Sequence, residues 1–152
     1  MCKAQGGLVM DNLRIVVEDD LFIPKRKNIG DAGADIRSAI DVVIYPGEAC
    51  NIPAGFKVAI PYQYGGFIFP RSGLAYKHGI HLCNGVGVID HQYRGEVMLP
   101  LRNDGTKPFT IQRGDRLAQM VILKVELPGF VVVDVLDETE RGEGGFGSTG
   151  VK

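Results

Sequence analysis

The chain has 152 residues, 45% of them hydrophobic, and a formal net charge of −1. That length suits one domain with a real core, and the near-neutral balance offers no basic excess for duplex nucleic acid. No apolar run is long enough to span a membrane, the first eight residues lack the apolar stretch of a secretory signal, and three widely spaced cysteines (Cys2, Cys50, Cys83) read as reduced thiols of a cytosol-like compartment.

Glycine (21 residues) and proline (8 residues) cut the chain into short pieces rich in Val, Ile, Phe and Tyr. In order, these predict strands at 13–17, 42–45, 49–52, 56–60, 66–69, 97–102, 109–111, 118–123 and 130–135. Pro46-Gly47 and Asn103-Asp104-Gly105 are turn signals. Only 72–78 has a helical pattern, with Ser72 as its expected N-cap and about two turns of length. With no long amphipathic helix, a doubly wound α/β fold is disfavoured, and the pattern predicts an all-β sandwich, jelly roll or barrel. We expect a single domain over 1–140, with the order of residues 1–11 left open, followed by an arm over 141–152.

The arm, Glu140-Arg141-Gly142-Glu143-Gly144-Gly145-Phe146-Gly147-Ser148-Thr149-Gly150, cannot build a core of its own. Its composition suits closure over a nucleotide. Arg141 would pair with phosphate, Phe146 would stack on a flat ring, and glycine amides would approach an anion. A disordered Gly/Ser tail is the plain alternative. It is no Walker A loop, because Gly147 stands where a lysine must precede Ser148 and no residues remain for the helix.

The segment Asn84-Gly85-Val86-Gly87-Val88-Ile89-Asp90-His91-Gln92-Tyr93-Arg94-Gly95-Glu96 reads as a hairpin. Its bare backbone at Gly85 and Gly87 would let a planar base lie against the edge, with Asp90 and Tyr93 facing one pocket. A purely structural hairpin is the alternative. Arg71 and Ser72 stand where a strand gives way to the short helix, a place suited to an anion or simply to a helix cap. Asp31-Ala32-Gly33-Ala34-Asp35 offers two carboxylates to the waters of a hard cation, or two turn formers. Gln119 is polar at the head of an apolar run. His78, His81, Cys83 and His91 match no zinc spacing.

Taken in order, segments 32–36, 70–75, 84–96, 114–119 and 141–150 closely resemble the five motifs of the homotrimeric dUTPases, over residues 31–150. The resemblance implies a distorted jelly roll of the β-clip type with one short helix and a flexible Gly-rich arm. It also implies a homotrimer with sites between subunits, and cytoplasmic hydrolysis of dUTP to dUMP and pyrophosphate with Mg²⁺, in host cytoplasm if the gene is viral. That reaction limits uracil in DNA and supplies dUMP for dTMP synthesis. Asp90 would be the general base and Gln119 would hold the attacking water or the α-phosphate. Ser72 would sit near the α,β-bridge, beside Arg71 and Gly73 on the phosphates. Asn84, Gly87, Val88 and Ile89 would read uracil, with Tyr93 and Met98 lining the nucleoside site and Tyr93 against the deoxyribose. Arg141 would take the γ-phosphate, Phe146 would cover uracil, and Gly147, Ser148 and Thr149 would close on the phosphate chain. Asp35 would reach Mg²⁺ through water. No nucleic acid or membrane partner is implied. Ile36 replaces the more usual Leu, a nearly volume-neutral swap. The rival readings are a dCTP deaminase of the same fold, disfavoured by Pro100 near the position of that family's glutamate, and a non-catalytic trimeric β-sandwich.

Overall fold

The computed structural model describes residues 12–145. The elements are β1 (Arg14–Val17), a 3₁₀ turn (Asp20–Phe22), β2 (Ala34–Arg37), β3 (Val42–Ile44), β4 (Ala49–Ala59), β5 (Tyr64–Pro70), α1 (Ser72–His78), β6 (Ile80–Leu82), β7 (Gly87–Ile89), β8 (Glu96–Asn103), β9 (Phe109–Ile111) and β10 (Arg116–Lys124). They form a sheet ordered β1-β4-β8-β6, a second ordered β2-β10-β5-β7, and a two-stranded ribbon β3-β9. The strand pairings among the described residues are antiparallel, as expected of an all-β sandwich.

Strict alternation builds the core. Along β8, Val97, Leu99 and Leu101 face inward, and along β4, Ile52, Ala54, Phe56 and Val58 do the same. They meet Ile36, Ile68, Ile89 and Met120 of the second sheet. The two strands predicted at 49–52 and 56–60 are one strand. Pro53 and Gly55 suggested a break but instead form a bulge, where four positions on β4 run against two on β8. The surplus is even, so the inward parity survives it. Gly55 has φ +74, and its N–H donates to Glu96 Oε1 at 2.9 Å.

The second buried polar residue beside Ser38 is Asn103, with no exposed surface. Its Nδ2 donates to the carbonyls of Ile44 and Lys107, each at 2.8 Å, and its Oδ1 accepts from the Gly105 N–H at 2.8 Å. One amide thus ties β8 to the ribbon and closes the 103–107 turn.

Three further expectations need correction. Residues 84–96 are not a hairpin: β7 pairs with β5 while β8 pairs with β4 and β6, so this segment crosses between sheets. The helix N-cap is Arg71, without a side-chain cap bond, rather than Ser72. Residues 130–135 form no strand; Phe130 is 99% and Val132 98% exposed, and among the described residues no strand edge pairs with them. Strands β2 and β6 escaped prediction because both are short and flanked by motif residues.

Candidate functional site

Sheet register assembles the first half of the site. On β10, Gln119 lies opposite Asp35 of β2 and Phe69 of β5. Laterally paired residues share a face, so Asp35 and Gln119 project together, next to the chain reversal that carries Arg71 and Ser72 into α1. A cavity of about 650 Å³ results, lined among others by Gly33, Asp35, Arg71, Ser72, Gly73 and Gln119. Gln119 Nε2 donates to the Pro70 carbonyl at 3.2 Å. Asp35 is held on both oxygens: Arg71 Nε lies 3.2 Å from Oδ1 and Arg116 Nη1 3.0 Å from Oδ2. Arg71 Nη1 also donates to the Arg116 carbonyl at 3.1 Å.

The other carboxylate of this motif does different work. Asp31 accepts from the Asn28 N–H at 2.9 Å, so it shapes the 28–31 turn. Gly33 must lack a side chain, because a Cβ there would lie 3.1 Å from Gln119 Cδ and 3.2 Å from its Cβ. Sequence reasoning missed Arg116, Lys27 and Lys77, which all line the cavity. Arg116 was legible, since it lies within the Gly114–Gln119 motif; Lys27 and Lys77 carried no signal beyond their charge. Lys77 and His78 also end α1, where cations complement the helix dipole. Gly79 closes the helix at φ +68, and a Cβ there would strike the Gly105 backbone.

The second half lies elsewhere. Asn84, Gly87, Val88, Ile89, Tyr93, Met98 and Pro100 line a cavity of about 500 Å³ between the β7 edge and β8. It shares no lining residue with the first. The Tyr93 ring lies over Gly95, where a Cβ would come within 2.6 Å of Cζ, and its hydroxyl donates to the Glu96 carbonyl at 2.8 Å. Arg94 Nη1 donates to the carbonyls of His91 and Tyr93, and the Tyr93 N–H donates to the Asp90 carbonyl at 3.1 Å. These bonds fix the loop that presents Asp90, whose side chain is exposed and lines neither cavity. This second cavity is lined by no acidic side chain.

Arg141 is exposed, with Nε donating to the Gly144 carbonyl at 2.9 Å, and lines neither cavity. Phe146, Gly147, Ser148 and Thr149 lie outside the described residues. Among the described residues no cluster of three or more His, Cys, Asp or Glu side chains could hold a metal ion. No helix is long and apolar enough to cross a membrane.

A strong acid–base pair stands away from both cavities. His81 Nε2 lies 2.7 Å from Asp104 Oδ2, and its Nδ1 3.1 Å from the Leu82 carbonyl. Both ring nitrogens thus face acceptors, which favours the doubly protonated ring. The Asp104 bond, then the Leu82 carbonyl, raise the His81 pKa above its ordinary value. The bonds from His81 and Arg102 lower that of Asp104.

The dUTPase family model matches residues 19–150. The deoxyuridine 5'-triphosphate nucleotidohydrolase of Thermobifida fusca is 49% identical over 135 residues, covering 88% of this chain and 75% of the relative. That of Desulfitobacterium hafniense is 48% identical over 132 residues, covering 85% and 87%. Among solved structures, a Staphylococcus bacteriophage 80alpha dUTPase with dUpNHpp superposes with a TM-score of 0.86 at 29% identity, covering 93% of this chain and 99% of the other. A dUTPase from phage phi11 of S. aureus, described with a structural Mg(II) ion, superposes at 0.76 and 26% identity, covering 82% and 98%.

Proposed function

The chain belongs to the dUTPase family, the enzymes that split dUTP into dUMP and pyrophosphate, and we propose that it performs this reaction by in-line attack of an Asp90-activated water on the α-phosphorus, at sites shared between three copies. The observation that carries the reading is the β2-β10-β5 register, which gathers Asp35, Gln119, Arg71 and Ser72 at one cavity.

The two cavities supply complementary halves of a nucleotide site. Arg71 and Ser72 suit the phosphates, with Ser72 near the α,β-bridge. The backbone of Gly87–Ile89 and the Asn84 amide suit the uracil edge, and the Tyr93 ring suits a sugar without a 2′-hydroxyl. Because the halves are separate in one chain, we place the phosphate cavity of one copy against the nucleoside cavity of another. That arrangement would also cover Asp90, and the exposed apolar residues Phe130, Val131, Val132, Val133 and Val135 would find their partner on a neighbouring copy.

In the assembled site the Asp90 carboxylate takes the water's proton as oxygen attacks phosphorus. Gln119 holds that water or the α-phosphate. The bond from the α-phosphorus to the bridging oxygen breaks, and Arg71 and Arg141 meet the charge on the departing pyrophosphate. The arm, with Phe146 over uracil and Gly147, Ser148 and Thr149 on the phosphates, excludes bulk water.

Mg²⁺ fits this donor set. It keeps several waters and binds chiefly through substrate phosphates, so no protein cage is required. Asp35 spends one lone pair per oxygen on arginine and retains capacity to accept from metal-bound water. When bound, the ion supplies positive charge to the phosphate chain.

The test is product analysis on dUTP, dCTP, dTTP and UTP with Mg²⁺, beside Asp90→Asn, with sedimentation to count subunits. Turnover of dUTP alone, lost in the variant, and a trimer are expected. Conversion of dCTP would move the chain to deaminase chemistry, which the acid-free nucleoside cavity disfavours.

A further inference from the structure

We propose that Arg116 is a positioning residue that acts through Asp35 to aim the Arg71 guanidinium at the substrate's β- and γ-phosphates. The inference rests on the reading of the phosphate cavity given above and adds to it a residue that the motif comparison left without a role.

The backbone carries the first argument. In an unbroken strand Arg116, Ala118 and Met120 would share the inward face. Ala118 and Met120 are indeed buried, yet Arg116 is exposed. The register explains it: β10 advances two positions from Arg116 to Ala118 while β2 moves only from Arg37 to Ile36. This bulge at Leu117 turns Arg116 onto the face that carries Asp35 and Gln119. Without it the guanidinium would point into the core.

The side chains then close a ring. Arg116 Nη1 holds Asp35 Oδ2, Asp35 Oδ1 holds Arg71 Nε, and Arg71 Nη1 donates back to the Arg116 carbonyl. Among the described residues nothing takes up Arg71 Nη2, which is left for an anion in the cavity. The charge count agrees: the cavity is lined by Arg71, Arg116, Lys27 and Lys77 against the carboxylates of Asp31 and Asp35, and both guanidinium groups share Asp35.

Asp35 has two oxygens, and Arg116 occupies one. With Arg116 gone, both oxygens become available to the Arg71 fork, the bidentate geometry that carboxylate and guanidinium prefer. Arg71 would then be turned from the cavity and neutralised in place. Arg116 therefore keeps Arg71 singly paired and partly free.

The experiment is calorimetric titration of dUpNHpp and of dUMP into the full-length chain and into Arg116→Gln, Asp35→Asn and the double variant. Arg116→Gln should weaken dUpNHpp about tenfold, one charge-assisted bond's worth, and leave dUMP within about twofold. In the Asp35→Asn background the same substitution should have no further effect. Persistence of the loss in that background would mean direct phosphate contact and overturn the proposal. So would equal losses for both ligands, the mark of a merely structural role. Failure of the unsubstituted chain to bind dUpNHpp would overturn the underlying reading of the cavity; binding with no change in Arg116→Gln would overturn this inference alone.

Discussion

Substituting Gly33 by alanine probes how closely the phosphate cavity is fitted. Gly33 does not occupy the positive-φ region, so its backbone accepts a side chain. The obstacle is steric. The new methyl would overlap Gln119 Oε1 and press to 3.1 Å on Cδ and 3.2 Å on Cβ. The oxygen can swing away, but Cβ is fixed by β10, so the amide must rotate and the two strands must separate slightly. Rotation breaks the Nε2 bond to the Pro70 carbonyl, which costs about 1 kcal/mol. Crowding at the fixed Cβ adds about 1 kcal/mol more. A loss of about 2 kcal/mol should lower the melting temperature by roughly 4–8 °C at fixed protein concentration. Turnover should suffer more, because a group misplaced by about an ångström costs on the order of 100-fold in rate. The assay is pyrophosphate release at saturating dUTP, with melting followed in parallel. Adding Gln119→Ala should remove the clash with the amide but not the 3.2 Å contact with Cβ, and so recover part of the melting temperature without recovering rate. A Gly33→Ala enzyme with turnover within about twofold of its parent would refute the claim that Gln119 must be held in place.

Three other outcomes are expected. Tyr93→Ala should relax rejection of UTP, and Gly95→Ala should do so partially by displacing the same ring; unchanged discrimination in a nucleotide competition assay would remove Tyr93 from sugar selection. The His81–Asp104 pair should contribute stability in a defined pH window. The raised His81 pKa makes its share full below the ordinary imidazole value and lost as pH climbs through the folded value, while the lowered Asp104 pKa makes its share present above the ordinary carboxylate value and lost as pH falls through the folded one. Melting temperature against pH should therefore fall on the alkaline side more steeply for the parent than for His81→Gln, and parallel curves would contradict the pairing. Deleting residues 141–152 should abolish turnover while leaving the circular dichroism spectrum nearly intact; full activity would exclude the arm from the reaction.

The strand that sequence disclosed best is β8, where the apolar residues Val97, Leu99 and Leu101 recur at every second position. Punctuation residues misled where tertiary contacts override local preference. Pro53 and Gly55 signalled a break, but Gly55 is seated against the Phe22 ring and Glu96, and β4 runs on. Residues 130–135 have strand composition, yet composition says nothing about whether an edge is available in the same chain. At the site, residue types and order singled out Asp35, Arg71, Ser72 and Gln119, which the structure brings to one cavity. What order along the chain cannot record is register. The bulge that exposes Arg116 and the separation of the two cavities follow from strand pairing, and both were invisible beforehand.

Asn103 has a consequence for how the chain reaches its fold. Strict alternation already opposes a one-residue slip of β8, which would turn Val97, Leu99 and Leu101 away from the core. A slip by one residue would bring Arg102 inward and leave the Ile44 and Lys107 carbonyls and the Gly105 N–H without Asn103. Each such orphan costs about 1–3 kcal/mol, and an interior guanidinium costs more. A single amide therefore proofreads strand alignment by adding a polar penalty to the one that the apolar face imposes.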